Sequence, residues 1–135
     1  MTKPIPQIQK YMTTNPKFVE KDQSLYEAAT FMQEHGFRHL PVLYNGKIEG
    51  ILSMTDVTMA NTFKNADISS MRVLDAYTPN PIKVSPEAPV DEVCRKMASE
   101  KVGCVIVEDN GHLVGVFTWI DALEAMDKLL HTRLA

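Results

Sequence analysis

Apolar positions recur with helical period in two short stretches of the chain. Leu25, Ala28, Ala29 and Met32 fall at i, i+3, i+4 and i+7, which makes one apolar stripe on a helix. Ser24 and Glu27 have capping-box spacing at its start, and Gly36 suits its stop. Val90, Val93, Cys94 and Met97 repeat the stripe, with Pro89 suited to the helix start. Each stripe is followed by a short apolar run, Leu40-Pro41-Val42-Leu43-Tyr44 or Cys104-Val105-Ile106-Val107, that predicts a strand. Asn45-Gly46 and Asn110-Gly111 then favour tight hairpin turns. Return strands are expected from Ile48 to Ser53 and from Leu113 to Thr118, leading into helices that begin near Thr55 and Ile120. Leu123, Met126 and Leu130 form the apolar stripe of the last helix.

The two stretches are copies. Shifting the sequence by 65 residues aligns positions 9–61 with 74–126 without a gap. Thr13, Asn15 and Pro16 recur as Thr78, Asn80 and Pro81, and Val19 as Val84. Glu27 and Met32 recur as Glu92 and Met97. Val42, Gly46, Gly50, Asp56 and Ala60 recur as Val107, Gly111, Gly115, Asp121 and Ala125. A repeat of this kind sets the whole architecture. Each copy reads strand, helix, strand, turn, strand, helix. A unit of about 50 residues buries too little surface alone, whereas two packed sheet to sheet form one core. The expectation is an α/β (α+β) chain, 1–135 as one module. Its first motif is at 9–61, a connector at 62–73, and the second motif at 74–126, with its last helix running to about 131.

Composition narrows the function classes. The chain has 135 residues, 44% hydrophobic and 23% charged, as an ordinary globular protein does. A net charge of −3 argues against a general nucleic-acid partner. No apolar run approaches the roughly 20 residues of a membrane span, and the first residues lack the apolar segment of a signal peptide. Cys94 and Cys104 make no disulfide framework, so a cytoplasmic chain with reduced thiols is expected.

The chemistry concentrates where the return strands end. Gly50-Ile51-Leu52-Ser53-Met54-Thr55-Asp56 and Gly115-Val116-Phe117-Thr118-Trp119-Ile120-Asp121 share a glycine, a hydroxyl residue and an aspartate at a helix start. An ionised aspartate accepts hydrogen bonds only, which suits the two hydroxyls of a ribose. Ser53 and Thr118 sit where a hydroxyl reaches sugar or phosphate oxygens, and the first helical turn favours an anion. Asp56 and Asp121 would equally complement the helix dipoles.

With Tyr11-Met12-Thr13-Thr14-Asn15-Pro16 and Arg38-His39-Leu40-Pro41-Val42, these segments make the chain from Tyr11 to Leu130 resemble a pair of cystathionine-β-synthase (CBS) motifs, a Bateman module. The resemblance implies two pseudo-symmetric β-α-β-β-α units with two clefts that take AMP, ADP, ATP, S-adenosylmethionine or related adenosyl ligands. It implies ribose contacts from Ser53, Asp56, Thr118 and Asp121. Adenine contacts are implied from Thr14, Asn15, Pro16 and Phe37 in one cleft and from Asn80, Ile82 and Val102 in the other. Arg38 and His39 are implied to hold phosphate. Copy two has Gly103 and Cys104 in their place, so unequal clefts are expected, with the stronger one at Asp121. The function so implied is regulatory and not enzymatic, with no catalytic cofactor, acting on a partner protein. Homodimerisation is expected from the apolar helical stripes and from the habit of the family. The alternative is a structural or dimerisation module that holds no small molecule.

Other constellations carry less. Gly36 breaks the helix between His35 and His39, and no metal site is expected. Cys94 belongs to a core stripe. Trp119 is suited either to packing between surfaces or to stacking on a base. No Ser-His-Asp set or Walker-type phosphate loop can be assembled.

Overall fold

A computed structural model describes residues 4–63 and 67–134. Among the described residues the fold is mixed α+β, with two four-stranded sheets and four α-helices. The chain divides into two compact units, one of residues 17–81 and one of residues 1–16 with 82–135.

Thr13–Thr14 forms β1, which belongs to the second of these units. The continuous unit then contains β2 (Val19–Glu20), α1 (Leu25–His35), β3 (His39–Tyr44), β4 (Lys47–Ser53), α2 (Met54–Phe63) and β5 (Thr78–Pro79). Its sheet runs β2-β3-β4-β5, with β2 parallel to β3 and the other pairs antiparallel. The helix α1 starts where Ser24 accepts the Glu27 N–H at 3.2 Å and ends on Gly36 at φ 71°. Leu25, Ala28 and Met32 bury their stripe against Leu40, Val42 and Leu52. Met71 and Val73, from the expected connector, are buried in the same core. Their backbone bonds to the Leu25 N–H and the Gln23 carbonyl tie this segment to the head of α1.

The other unit adds β6 (Lys83–Val84), α3 (Val90–Glu100), β7 (Cys104–Asp109), β8 (His112–Thr118) and α4 (Trp119–Leu134). Its sheet, β1-β8-β7-β6, mirrors the first, again with one parallel pair. Both hairpins carry their irregularity at the same place, after Val42 and after Val107. Both turn on an Asn-Gly pair with positive φ, 50° and 79° in one and 52° and 80° in the other, as a tight primed turn requires. Ile8, Val90, Val93, Met97, Val105, Val107 and Phe117 form the core.

The sheets exchange their edge strands. The first strand of copy one, β1, pairs with β8 of copy two, and β5 of copy two pairs with β4 of copy one. The glycines at these pairings have no room for a side chain. A Cβ on Gly50 would lie 2.2 Å from the Thr78 carbonyl oxygen and 2.6 Å from the Tyr77 ring. One on Gly115 would lie 2.6 Å from the Met12 sulfur.

The apolar stripe of α4 turns outward, and two helix starts differ slightly from expectation. Leu123, Met126 and Leu130 do not face the core of their unit, because each is more than half exposed while Ala125 is buried. The small alanine lets α4 lie close on its sheet, which leaves the large residues on the opposite face. The helices α2 and α4 also begin one residue earlier than expected, at Met54 and Trp119. The cause is the cap formed by Ser53 and Thr118.

Candidate functional site

Each return strand hands over to its helix through a reciprocal cap. Ser53 Oγ accepts the Asp56 N–H at 3.0 Å, and Asp56 Oδ2 accepts the Ser53 N–H at 2.9 Å. Thr118 Oγ1 accepts the Asp121 N–H at 3.3 Å, and Asp121 Oδ2 accepts the Thr118 N–H at 2.9 Å. This is capping-box geometry with aspartate in place of glutamate. The hydroxyl-x-x-Asp spacing therefore has a structural cause in both copies, whatever else it does.

A second hydroxyl completes each cluster. Thr78 on β5 donates to Asp56 Oδ1 and Oδ2 at 3.0 and 3.2 Å. Thr13 on β1 donates to Asp121 Oδ1 and Oδ2 at 3.1 and 3.3 Å. In both clusters the threonine comes from the other repeat. Sequence reasoning passed over these two residues, although their identity at the 65-residue offset marked them.

The expected site residues sort by unit. Residues 17–81 hold Ser53, Asp56, Phe37, Arg38, His39 and Asn80. His39 is the register partner of Ser53, and the Arg38 carbonyl accepts the Met54 N–H at 3.0 Å, so both bases stand at the start of α2. Phe37 stacks on His35, with ring centroids 5.8 Å apart and planes 8° apart. The other unit holds Thr14, Asn15, Pro16, Ile82, Val102, Thr118 and Asp121. Asn15 and Asn80 take φ of 48° and 56°, a left-handed turn that ends β1 and β5 alike. Ile82 and Val102 pack partly against the core of their own unit. Val102 also lines an apolar groove of about 260 Å³ between α3 and α4, with Cys94, Met97, Trp119 and Leu123.

The electrostatics of the two ends differ. Burial, and then the Arg38 charge, hold the His39 pKa below its usual 6.5, while Asp56 pulls it upward. The place of His39 is taken in the other copy by Cys104. Burial, and then the Asp121 charge, push its thiol up to about 12, so it is no nucleophile. Burial also raises Cys94, with Asp91 adding to the effect. Among the described residues no group of three metal-ligating side chains comes together. Nor is any described helix long and apolar enough to cross a membrane.

A model of the CBS domain matches residues 8–61 and 73–128. Inosine-5'-monophosphate dehydrogenase of Korarchaeum cryptofilum is 31% identical over 119 residues, 87% of this chain and 24% of that protein. The chain spans about a quarter to a third of the length of the first curated relatives it matches. Among solved structures, the CBS domain pair of protein MJ0100, in complex with 5'-methylthioadenosine and S-adenosyl-L-methionine, is 26% identical with a TM-score of 0.83. That match covers 93% of this chain and 98% of the other. An uncharacterized conserved protein from Pyrococcus horikoshii is 28% identical with a TM-score of 0.80, over 93% of this chain and 95% of that one.

Proposed function

Since the chain belongs to the CBS-domain family, as a tandem pair, we propose that it is a regulatory module that binds an adenine nucleotide or another adenosyl ligand and transmits its presence to a partner protein. One observation carries the reading: the Ser53–Asp56 end joins a carboxylate able to accept sugar hydroxyls to two basic residues, Arg38 and His39, within one unit. A carboxylate beside bases matches a ribose that carries phosphate. The adenosyl compounds held by the MJ0100 CBS pair support this ligand class.

The groups at this end recognise and do not react. Arg38 offers a rigid fork of donors to an oxyanion, and the N-terminal end of the α2 dipole favours the same charge. The thiols suit a reducing compartment, and the chain is read as cytoplasmic. Homodimerisation belongs to the same reading. Trp119, Leu123, Met126 and Leu130 expose an apolar face of α4 that a second copy would cover.

Thermal unfolding with millimolar AMP, ADP, ATP and S-adenosylmethionine tests the reading. A ligand at a hundredfold excess over its Kd raises stability by about 2.7 kcal/mol. No shift with any of them returns the chain to a purely structural role. Product formed in those samples, detected by chromatography, would instead make it an enzyme.

A further inference from the structure

The exposed apolar residues of α4 fall into one row. Trp119, Leu123, Met126 and Leu130 are spaced four, three and four apart, which keeps them on one side of the helix. Each is between 46% and 59% exposed, and Ile120 flanks the row. Among the described residues no other helix carries such a row. Beside it lies the apolar groove of about 260 Å³ between α3 and α4, which Trp119 and Leu123 share with Cys94, Met97 and Val102. The groove is smaller than the roughly 300–1,000 Å³ of an ordinary small-molecule site. No charged or amide side chain lines it to orient a ligand.

A ridge and a groove on one surface suit a second copy of the same chain, because a two-fold contact needs both halves of the fit from each copy. The row itself is uncharged, so two chains of net charge −3 meet no like charge along it. The area is sufficient as well. Two helix widths along the roughly 24 Å of α4 give on the order of 500 Å² per copy, or about 1,000 Å² in all, the lower bound for a specific interface. Contact of that size makes a reversible dimer.

The other repeat lacks the row. At the 65-residue offset Trp119, Leu123 and Met126 correspond to Met54, Thr58 and Asn61. Thr58 and Asn61 are polar and exposed, and the Thr58 hydroxyl donates to the Met54 carbonyl at 3.0 Å. The repeats agree in caps and turns and differ on this face.

We propose that two copies of the chain pair through the second repeat alone, the α4 row of each seated in the α3–α4 groove of the other, and that α2 takes no part. The inference rests on the homodimeric reading above and says which repeat carries it.

Trp119 is the only tryptophan of the chain and lies where row and groove meet, so its fluorescence reads this contact. Sedimentation and fluorescence of the ligand-free full chain are followed together from below micromolar to tens of micromolar. As a dimer of the 15.2 kDa chain forms, Trp119 emission should shift to shorter wavelength and its quenching by acrylamide should fall. Met126→Glu should weaken self-association by roughly tenfold or more, as burial of an unpaired charge does. Thr58→Glu, which puts the same charge at the matching surface of α2, should change it by less than about twofold. The wild-type fluorescence stands as a test even where a variant does not fold. A dimer whose Trp119 stays open to acrylamide would overturn the proposal and leave the homodimeric reading standing. So would a dimer that a folded Thr58→Glu chain loses or a folded Met126→Glu chain keeps. A wild type that stays monomeric at tens of micromolar would overturn both.

Discussion

Thr13 donates its hydroxyl to both carboxylate oxygens of Asp121, 108 positions later in the chain, at 3.1 and 3.3 Å. The bond joins an edge strand to a helix start that the sequence places at opposite ends. Its acceptor is a buried carboxyl group, so removing the donor leaves that group less well satisfied. Thr13→Val should cost about 1.5–3 kcal/mol, the range for hydrogen bonds to charged groups. Thr78→Val should cost less, because Asp56 is more open to water. Urea unfolding of both variants checks the order, and Thr13→Ser should restore most of the loss.

Gly50→Ala should be among the most damaging small substitutions. The new methyl would meet a backbone carbonyl at 2.2 Å, and backbone cannot rotate aside. Overpacking of this kind costs about 1–3 kcal/mol. Gly115→Ala should be milder, because the nearest obstacle is the flexible Met12 side chain at 2.6 Å and the nearest backbone atom, the Thr13 carbonyl oxygen, lies at 2.9 Å rather than 2.2 Å. Thermal melts of the pair give the comparison directly.

His39 gives the module a dependence on acidity. Its folded pKa lies below the usual 6.5, through burial first and Arg38 second, so the unfolded chain takes up the proton more readily. The stability tied to neutral His39 is fully present above pH 6.5 and is lost as pH falls through and below that value. An anion beside the ring reverses the preference, so nucleotide affinity should rise on acidification over the same window. His39→Gln should flatten both trends. Melting curves and titrations between pH 5 and 8 measure them.

The exposed face of α4 predicts self-association. Leu123→Glu should place a charge in the middle of the contact and shift the chain toward the 15.2 kDa monomer. Sedimentation at tens of micromolar compares it with wild type. A monomeric wild type would remove this face as an interface between copies.

Local signals in the sequence carried well where the physics was local. The Asn-Gly turns, the stripes of α1 and α3 and the strand-helix junctions all follow from residues within a few positions of one another. Partnership over long range did not show. A 65-residue repeat reveals which positions are equivalent, not whether Thr13 serves its own copy or the other. The direction in which the α4 stripe faces was not legible for a related reason. Periodicity finds an apolar face but does not say whether that face meets a core or water, and here Ala125 takes the core. At the aspartates, one spacing served two purposes, since Ser53-x-x-Asp56 is both a helix cap and a possible sugar acceptor.

The exchanged edge strands also bear on how the chain is made. Synthesis runs from the N-terminus, and residues 17–81 form one unbroken stretch, so that unit has all its strands once position 81 has emerged. Residues 4–16 emerge before that unit, yet β1 must wait for β8, about a hundred residues behind it. Closing so long a loop is slow and entropically costly. A segment made before the continuous unit is thus seated after it. During that interval Ile8, fully buried in the finished core, has no partner of its own, and a nascent chain stalled before β8 should expose it.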